Sequence, residues 1–221
     1  VKRKVIETKD GSASIEVEGL DETYHSRHGA RQESLHIFIG EGLHPLMEQR
    51  AVIRIFEVGF GTGLNALLTF EALRNTKVII EYTSVEAYPV TEDEARQLNY
   101  AEDDKALRDF YLAMHNAAWE EPVRLHPQFT LIKRQAKLHE FEGIEDSADL
   151  IYYDAFGPRA QPKMWLPEHF EKMFKMLSKG GVLVTYCAKG QVRRDLQAAG
   201  FEVERLPGPP GKREMLRATK P

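Results

Sequence analysis

Ile53-Arg54-Ile55-Phe56-Glu57-Val58-Gly59-Phe60-Gly61-Thr62-Gly63-Leu64-Asn65 is the stretch that decides the fold. Six residues of buried-strand character run straight into glycines at alternate positions. Leu64, Leu67, Leu68 and Leu73 then recur with helical spacing. A strand that becomes a helix through bare backbone marks a close approach of a ligand, which a side chain at Gly59 or Gly61 would obstruct. The helix opening near Gly63 adds free N–H groups.

Working outward, Val78–Val85, Phe129–Lys133, Leu150–Tyr153 and Val182–Tyr186 read as further strands, and Phe201–Leu206 and Met215–Thr219 as two closing ones. Between them, Thr91–Trp119 is acidic and rich in helix formers, Pro167–Leu177 is helical up to Gly180-Gly181, and Gln191–Ala199 is a helix closed by Gly200. The alternation predicts an α/β fold of Rossmann-like type: a mostly parallel seven-stranded sheet covered on both faces, its final strand antiparallel. Residues 51–221 are expected to hold this domain and residues 1–50 a small β-rich cap. In the cap, residues 8–20 around Asp10-Gly11 read as a hairpin region, and a short helix is expected over Gln32–Gly40.

Two ligand classes use such a turn. Dinucleotide enzymes use G-x-G-x-x-G and seat a pyrophosphate on the helix end. Here the spacing is G-x-G-x-G, with Leu64 where the third dinucleotide glycine would fall and Glu57 two residues before the first. That pattern resembles the first motif of Rossmann-like methyltransferases that use S-adenosylmethionine (SAM). The resemblance places Gly59, Phe60, Gly61, Gly63 and Asn65 at the cofactor, with Glu57 orienting its ammonium group. A carboxylate there tolerates SAM and repels a pyrophosphate. Glu86, followed by Ala87, ends the second strand, where an acid binds a ribose diol; this supports a nucleoside without choosing between SAM and NAD. A turn used only for tight packing is the remaining alternative.

Asp154 lies at the carboxyl end of the fourth strand, where ligands bind in open α/β sheets. The phrase Asp154-Ala155-Phe156-Gly157-Pro158 resembles the Asp/Asn-Pro-Pro-Tyr/Phe loops of enzymes that methylate amines. With Pro162-Lys163-Met164-Trp165, Gly180-Gly181, Val192 to Phe201, Lys212-Arg213-Glu214-Met215 and Glu22-Thr23-Tyr24-His25-Ser26, nearly the whole chain resembles one family. It is similar to the methyltransferase module of the bacterial enzymes that complete 5-methylaminomethyl-2-thiouridine at the tRNA wobble position. The resemblance implies transfer of a methyl group from SAM to the amine of 5-aminomethyl-(2-thio)uridine. It also implies a stand-alone form without the FAD-dependent oxidase that many relatives carry, receiving its amine from a separate enzyme. Where the family often has Gly-Asp after the third strand, this chain has Gln135-Ala136-Lys137. Gln135 and Ala136 are then expected at the adenine.

On this reading Asp154 contacts the cofactor and accepts a hydrogen from the acceptor amine. Tyr24, His25, Ser26, Phe156 and Pro158 are expected around the base, which a single-stranded loop can splay onto an aromatic ring. Trp165 is a further stacking candidate, with core packing as its alternative. The net charge is −4, but residues 187–221 carry eight Lys or Arg against four acids. Arg193, Arg194, Lys212 and Arg213 are therefore expected on the phosphates of an anticodon stem-loop. The acidic stretch 92–109 is expected to be a solvated helix face. His25 and His28 are close in sequence, yet no Cys or acid completes a metal site, so no metal is expected. Cys187 is the only cysteine, which excludes an internal disulfide and suits a cytoplasmic setting. No apolar run is long enough to span a membrane. Competing readings are methylation of another amine (small molecule or protein), a nicotinamide-dependent oxidoreductase, and a silent RNA-binding module.

Overall fold

The computed structural model describes residues 2–18 and 22–221. The chain begins with a three-stranded antiparallel sheet of β1 (Arg3–Glu7), β2 (Ala13–Val17) and β3 (Glu22–Thr23). Val5 pairs with Ile15 and Glu7 with Ala13, so Asp10-Gly11 sits at the hairpin bend. The first hairpin strand thus precedes residue 8. Residues 19–20, which end the expected hairpin region, lie outside the described residues.

A continuous helical run follows: α1 (Ala30–Ser34), a π-helical stretch over Leu35–Leu43, and α2 (His44–Met47). It is longer than the short helix read from the sequence. Gly40 and Gly42 look like breakers, but Gly42 is a contact point: a Cβ there would lie 3.0 Å from Val184 and 3.3 Å from Leu150. Bare backbone lets the helix settle onto the sheet.

The main sheet contains β4 (Val52–Val58), β5 (Ile79–Val85), β6 (Pro122–His126), β7 (Phe129–Arg134), β8 (Ala148–Tyr153), β9 (Leu177–Thr185), β10 (Glu202–Pro207) and β11 (Glu214–Thr219). Its order is β10-β11-β9-β8-β4-β5-β7-β6. The five strands from β9 to β7 are mutually parallel, and β11 runs antiparallel to both β9 and β10. The seven expected strands are all present. The eighth, β6, is a short edge strand opened by a proline, and Val123 and Leu125 alternate with Arg124 and His126 over too few positions to stand out; it pairs antiparallel with β7.

Strand alternation divides the apolar side chains between two faces. Ile53 and Ile55 of β4 pack with α3 (Leu64–Ala72), the N-terminal helical run and α5 (Lys105–Asn116). Phe56 and Val58 face α6 (Pro167–Met176) and α7 (Gly190–Ala198). The expected Thr91–Trp119 helix is two: α4 (Glu92–Arg96), opened by a Thr91/Glu94 capping box, and α5, capped by Asp104. Gly180-Gly181 does not end α6. β9 already starts at Leu177, and the glycines lie inside it where its register with β8 shifts.

Asp149 ties β4, β8 and β9 together beneath the site. It accepts hydrogen bonds from the Arg54 backbone and side chain, from Arg50 at 2.8 Å and from Ser178 at 2.8 Å. Burial pushes its carboxyl up, but the Arg54 contacts and Ser178 outweigh this and hold it below the ordinary value. The clamp therefore contributes stability at neutral pH that is lost as pH falls through the lowered value. Asp149→Ala should cost roughly 2–3 kcal/mol, because it strands two partly buried guanidinium groups. Urea denaturation at pH 7 measures this; a cost under about 0.5 kcal/mol would mean that the clamp is only a surface contact.

Candidate active site

The carboxyl ends of the central strands are knitted by backbone hydrogen bonds. Gly59 N–H donates to Val85 O at 2.9 Å, Glu86 N–H to Arg134 O at 2.9 Å, and Asp154 N–H to Val58 O at 3.1 Å. Glu57, Glu86 and Asp154 thereby meet around the glycine turn.

Glu57 is fully buried. Its carboxylate accepts from Ser84 Oγ at 2.7 Å and from Asn65 Nδ2 at 3.2 Å. The same Asn65 amide donates to Asp154 at 2.8 Å. One amide on the first turn of α3 thus bridges two carboxylates from neighbouring strands. Burial first, and the Asp154 charge after it, push Glu57 up to about 8 against the Ser84 and Asn65 hydrogen bonds. Burial likewise pushes Asp154 up to about 7; Glu33 adds to this, while Asn65 and Lys212 oppose it. Among the described residues neither carboxylate has an ion-pair partner. Asn65 Oδ1 is buried and has no hydrogen-bond partner.

Glu86 closes the other side of the turn. One oxygen accepts from Gly61 N–H at 3.0 Å and the other from Tyr88 N–H at 2.8 Å. The turn glycines have protein neighbours as well as a possible ligand. A Cβ on Gly59 would lie 3.0 Å from the Asp154 carbonyl, and one on Gly61 would lie 2.9 Å from the Tyr24 ring; both glycines have positive φ. Tight packing is therefore part of why they are glycines. Behind the turn, Tyr111 and His115 contact Thr62 O, and the buried Lys133 donates to His115 O at 2.8 Å with Trp119 under its ammonium.

A cavity of about 380 Å³ opens beside Asp154. Its walls include Tyr24, His25, Ser26, Phe156, Pro158 and Lys212 from the sequence reading, joined by Glu22, Glu33 and Tyr186. Tyr24 and Phe156 meet edge to face at 5.0 Å. His25 is buried and held neutral, burial pushing it down to about 4. Ser26 acts through its backbone, donating N–H to Glu33 at 2.8 Å.

Other expected residues lie elsewhere. Lys212 is inside the cavity rather than on an outer phosphate-facing surface, because it pairs with Glu33 and sits 3.8 Å over the Tyr186 ring. Arg193, Arg194 and Arg213 do not line the cavity. Gln135 and Ala136 lie along a separate groove of about 730 Å³ over β4, β5 and β7, where the Gln135 backbone N–H donates to Glu120 at 2.7 Å. Lys137 is exposed and pairs with Glu140 at 3.5 Å. Trp165 is core rather than wall: it is 6% exposed, and its indole N–H donates to Phe156 O, which fixes the loop. Tyr186 was legible in principle, since it follows the carboxyl end of β9. Glu33 carried no sequence signal.

An acceptor-rich socket that, among the described residues, has no paired cation and one unpartnered buried acceptor fits the positively charged SAM and opposes a pyrophosphate. Glu57, Asn65 and Glu86 would hold it.

A family described as S-adenosyl-L-methionine-dependent methyltransferase matches residues 86–221, a span that begins just after the turn. The tRNA 5-methylaminomethyl-2-thiouridine biosynthesis bifunctional protein MnmC of Aromatoleum aromaticum is 32% identical over 220 residues, 95% of this chain and 34% of that protein. The protein of the same name from Ralstonia nicotianae is 33% identical over 91% of this chain and 32% of its own. The chain thus spans about a third of the length of these curated relatives. MnmC2 from Aquifex aeolicus superposes with a TM-score of 0.83 at 26% identity, covering 98% of this chain and 70% of that one. Spermidine synthase from Thermotoga maritima shares the fold at 14% identity, with a TM-score of 0.63 over 99% of this chain and 69% of its own. The chain belongs to the S-adenosyl-L-methionine-dependent methyltransferase family.

Proposed function

We propose that this chain methylates the primary amine of 5-aminomethyl-(2-thio)uridine at the wobble position of tRNA. The observation that carries the reading is Asp154, which closes the cofactor socket on one side and lines the aromatic cavity on the other. The similarity to MnmC proteins supports it. In this reading residues 51–221 are the methyltransferase domain, residues 1–50 cap it, and the protein works with tRNA in the cytoplasm. Among the described residues no helix is long and apolar enough to cross a membrane. The aminomethyl group is made by a separate active site before the base arrives.

SAM supplies a methyl group already activated on its sulfonium. The protein's work is then orientation and proton handling. Tyr24 and Phe156 flank the base. Ionised Asp154 accepts an N–H of the neutral amine and directs its lone pair, while Asn65 fixes the carboxylate from behind. Lys189, Arg193, Arg194 and Arg213 form no ion pair among the described residues, whereas Arg205, Arg217 and Lys220 are paired with acids. These four cations are the proposed contacts to the anticodon-stem phosphates.

Both site carboxyls lie above their usual range, so these two groups hold more protons in the folded, ligand-free protein than in the unfolded chain between about pH 4 and 8. Their contribution to stability falls as pH rises through that window. A cationic ligand favours the ionised pair, so the rise in Tm caused by SAM should be larger at pH 7.5 than at pH 6. A pH-independent shift in differential scanning fluorimetry would show that the pair is not at the cofactor. Asp154→Asn should lower kcat/KM on 5-aminomethyluridine tRNA by roughly 10²-fold and remove the rising limb near pH 7. Wild-type turnover with that limb retained in the variant would exclude Asp154 as the amine's partner.

Affinity for the anticodon stem-loop should fall steeply with salt. The double variant Arg193→Glu and Arg194→Glu should weaken binding at least about tenfold at low salt and flatten the salt slope by roughly 1–2. Fluorescence anisotropy over a salt series checks this, and an unchanged slope would move the phosphate face elsewhere.

A further inference from the structure

The sequence offers Lys212 as one of several cations for phosphate. Its surroundings in the fold point to a different partner. Lys212 lies in the loop joining β10 and β11, and its side chain turns inward to the cavity that Asp154 lines. Two fixed groups hold the ammonium there. Glu33 is 6% exposed; it pairs with Lys212 through one oxygen and accepts the Ser26 N–H at 2.8 Å through the other. The Tyr186 ring lies 3.8 Å beneath the ammonium, and the Tyr186 hydroxyl is already committed to Ala155 O at 2.8 Å.

An ammonium has three N–H donors and no acceptor, whereas an ionised carboxylate only accepts. Glu33 takes one donor and the ring face another, which leaves one for a ligand. Among the wall's charged groups, Glu22, Glu33 and Asp154 are acceptors and Arg159, Lys189 and Lys212 are donors; two of them concern the acceptor base, Asp154, which borders the cofactor turn, and Lys212, the donor fixed by both a carboxylate and a ring face. A lone amine satisfies the first and leaves the second unmatched. A 5-aminomethyl pyrimidine satisfies both, because the carbonyl at ring position 4 is adjacent to the carbon that bears the aminomethyl arm.

We propose that Lys212, positioned by Glu33 and Tyr186, donates a hydrogen bond to the 4-carbonyl oxygen of the acceptor uracil and is a specificity-determining residue of this site. The inference rests on the wobble-uridine reading and names the group that reads the base. Such a site disfavours an analogue lacking the oxygen, because the partly buried ammonium then loses one hydrogen-bond partner.

The test uses methyl transfer from SAM to two free nucleosides, 5-aminomethyluridine and its 4-deoxy analogue, which carries hydrogen in place of the oxygen. The wild-type chain should prefer the first by roughly tenfold to a hundredfold in kcat/KM. Lys212→Met should lose about that factor on 5-aminomethyluridine and show little preference between the two. Its salt slope for stem-loop binding should match the wild type, whereas loss of a phosphate contact would lower the slope by about 1 and spare the free nucleoside. Glu33→Gln, which keeps the shape but weakens the hold on the ammonium, should fall between; a SAM-induced Tm rise shows that each variant is folded. Equal wild-type rates on the two nucleosides would overturn the assignment of Lys212 even if Lys212→Met does not fold. So would a Lys212→Met loss confined to salt-dependent tRNA binding. If the wild-type chain methylates 5-aminomethyluridine neither in tRNA nor free, the wobble reading fails first and takes this inference with it.

Discussion

The site depends on two carboxylates that share one amide. Glu57 and Asp154 end adjacent parallel strands, and Asn65 bridges them from the first turn of α3. Among the described residues neither has a cation paired with it, and burial raises both. A fold holding two such acids side by side carries an electrostatic cost that only protonation or a bound positive charge relieves. SAM brings that charge. In the proposed site, the same feature that makes the ligand-free pocket unfavourable at high pH would select a cationic nucleoside over a pyrophosphate. Glu86, held by two backbone amides, adds a third acid at the same edge without adding another buried group.

The acceptor side is assembled from the two ends of the chain. Glu33 on α1 meets Lys212 in the last hairpin, His36 contacts Pro207 O at 2.8 Å, and Arg217 of β11 pairs with Glu41 at 3.3 Å. Arg3 of β1 reaches Pro89 O and Glu94 beyond the end of β5, and its guanidinium lies 5.8 Å from the Tyr24 ring. The N-terminal sheet and helical run therefore complete a wall that the main sheet alone would leave open. This is a function distinct from filling the core.

Much of the fold was legible because its signals are local. Strands such as Leu150-Ile151-Tyr152-Tyr153 are buried on both faces and read as unbroken apolar runs, and strand-end acids fall where a parallel sheet binds ligands. The candidate acids Glu57, Glu86 and Asp154 were singled out that way. The rest depends on pairing between distant segments, which leaves no periodic trace. β6 has only Val123 and Leu125 as an apolar pattern, starts at a proline and pairs with β7 at the sheet edge. The helical run continues through Gly40 and Gly42 because tertiary packing at Gly42 overrides the weak propensity of glycine. Glu33 becomes a site residue only when a lysine 179 positions away folds over it. Lys212 looked like one of a cluster of surface cations because composition counts charges without showing which of them point inward.

In the proposed reaction, Tyr24 would keep the two halves in register. Its ring packs on Gly61 of the cofactor turn and edge to face against Phe156 of the acceptor loop. Phe156 is in turn held through its carbonyl by buried Trp165. One aromatic side chain thus forms the partition between the turn and the cavity, with Asp154 beside it facing both. In-line methyl transfer requires donor and acceptor to be placed within about half an ångström of the productive geometry. A shared, doubly packed wall meets that demand better than two separately built pockets, because a shift of the turn carries the acceptor loop with it. The glycines at 59 and 61 then have two causes at once: they let a ligand approach, and they let Asp154 and Tyr24 pack directly against the backbone that holds it.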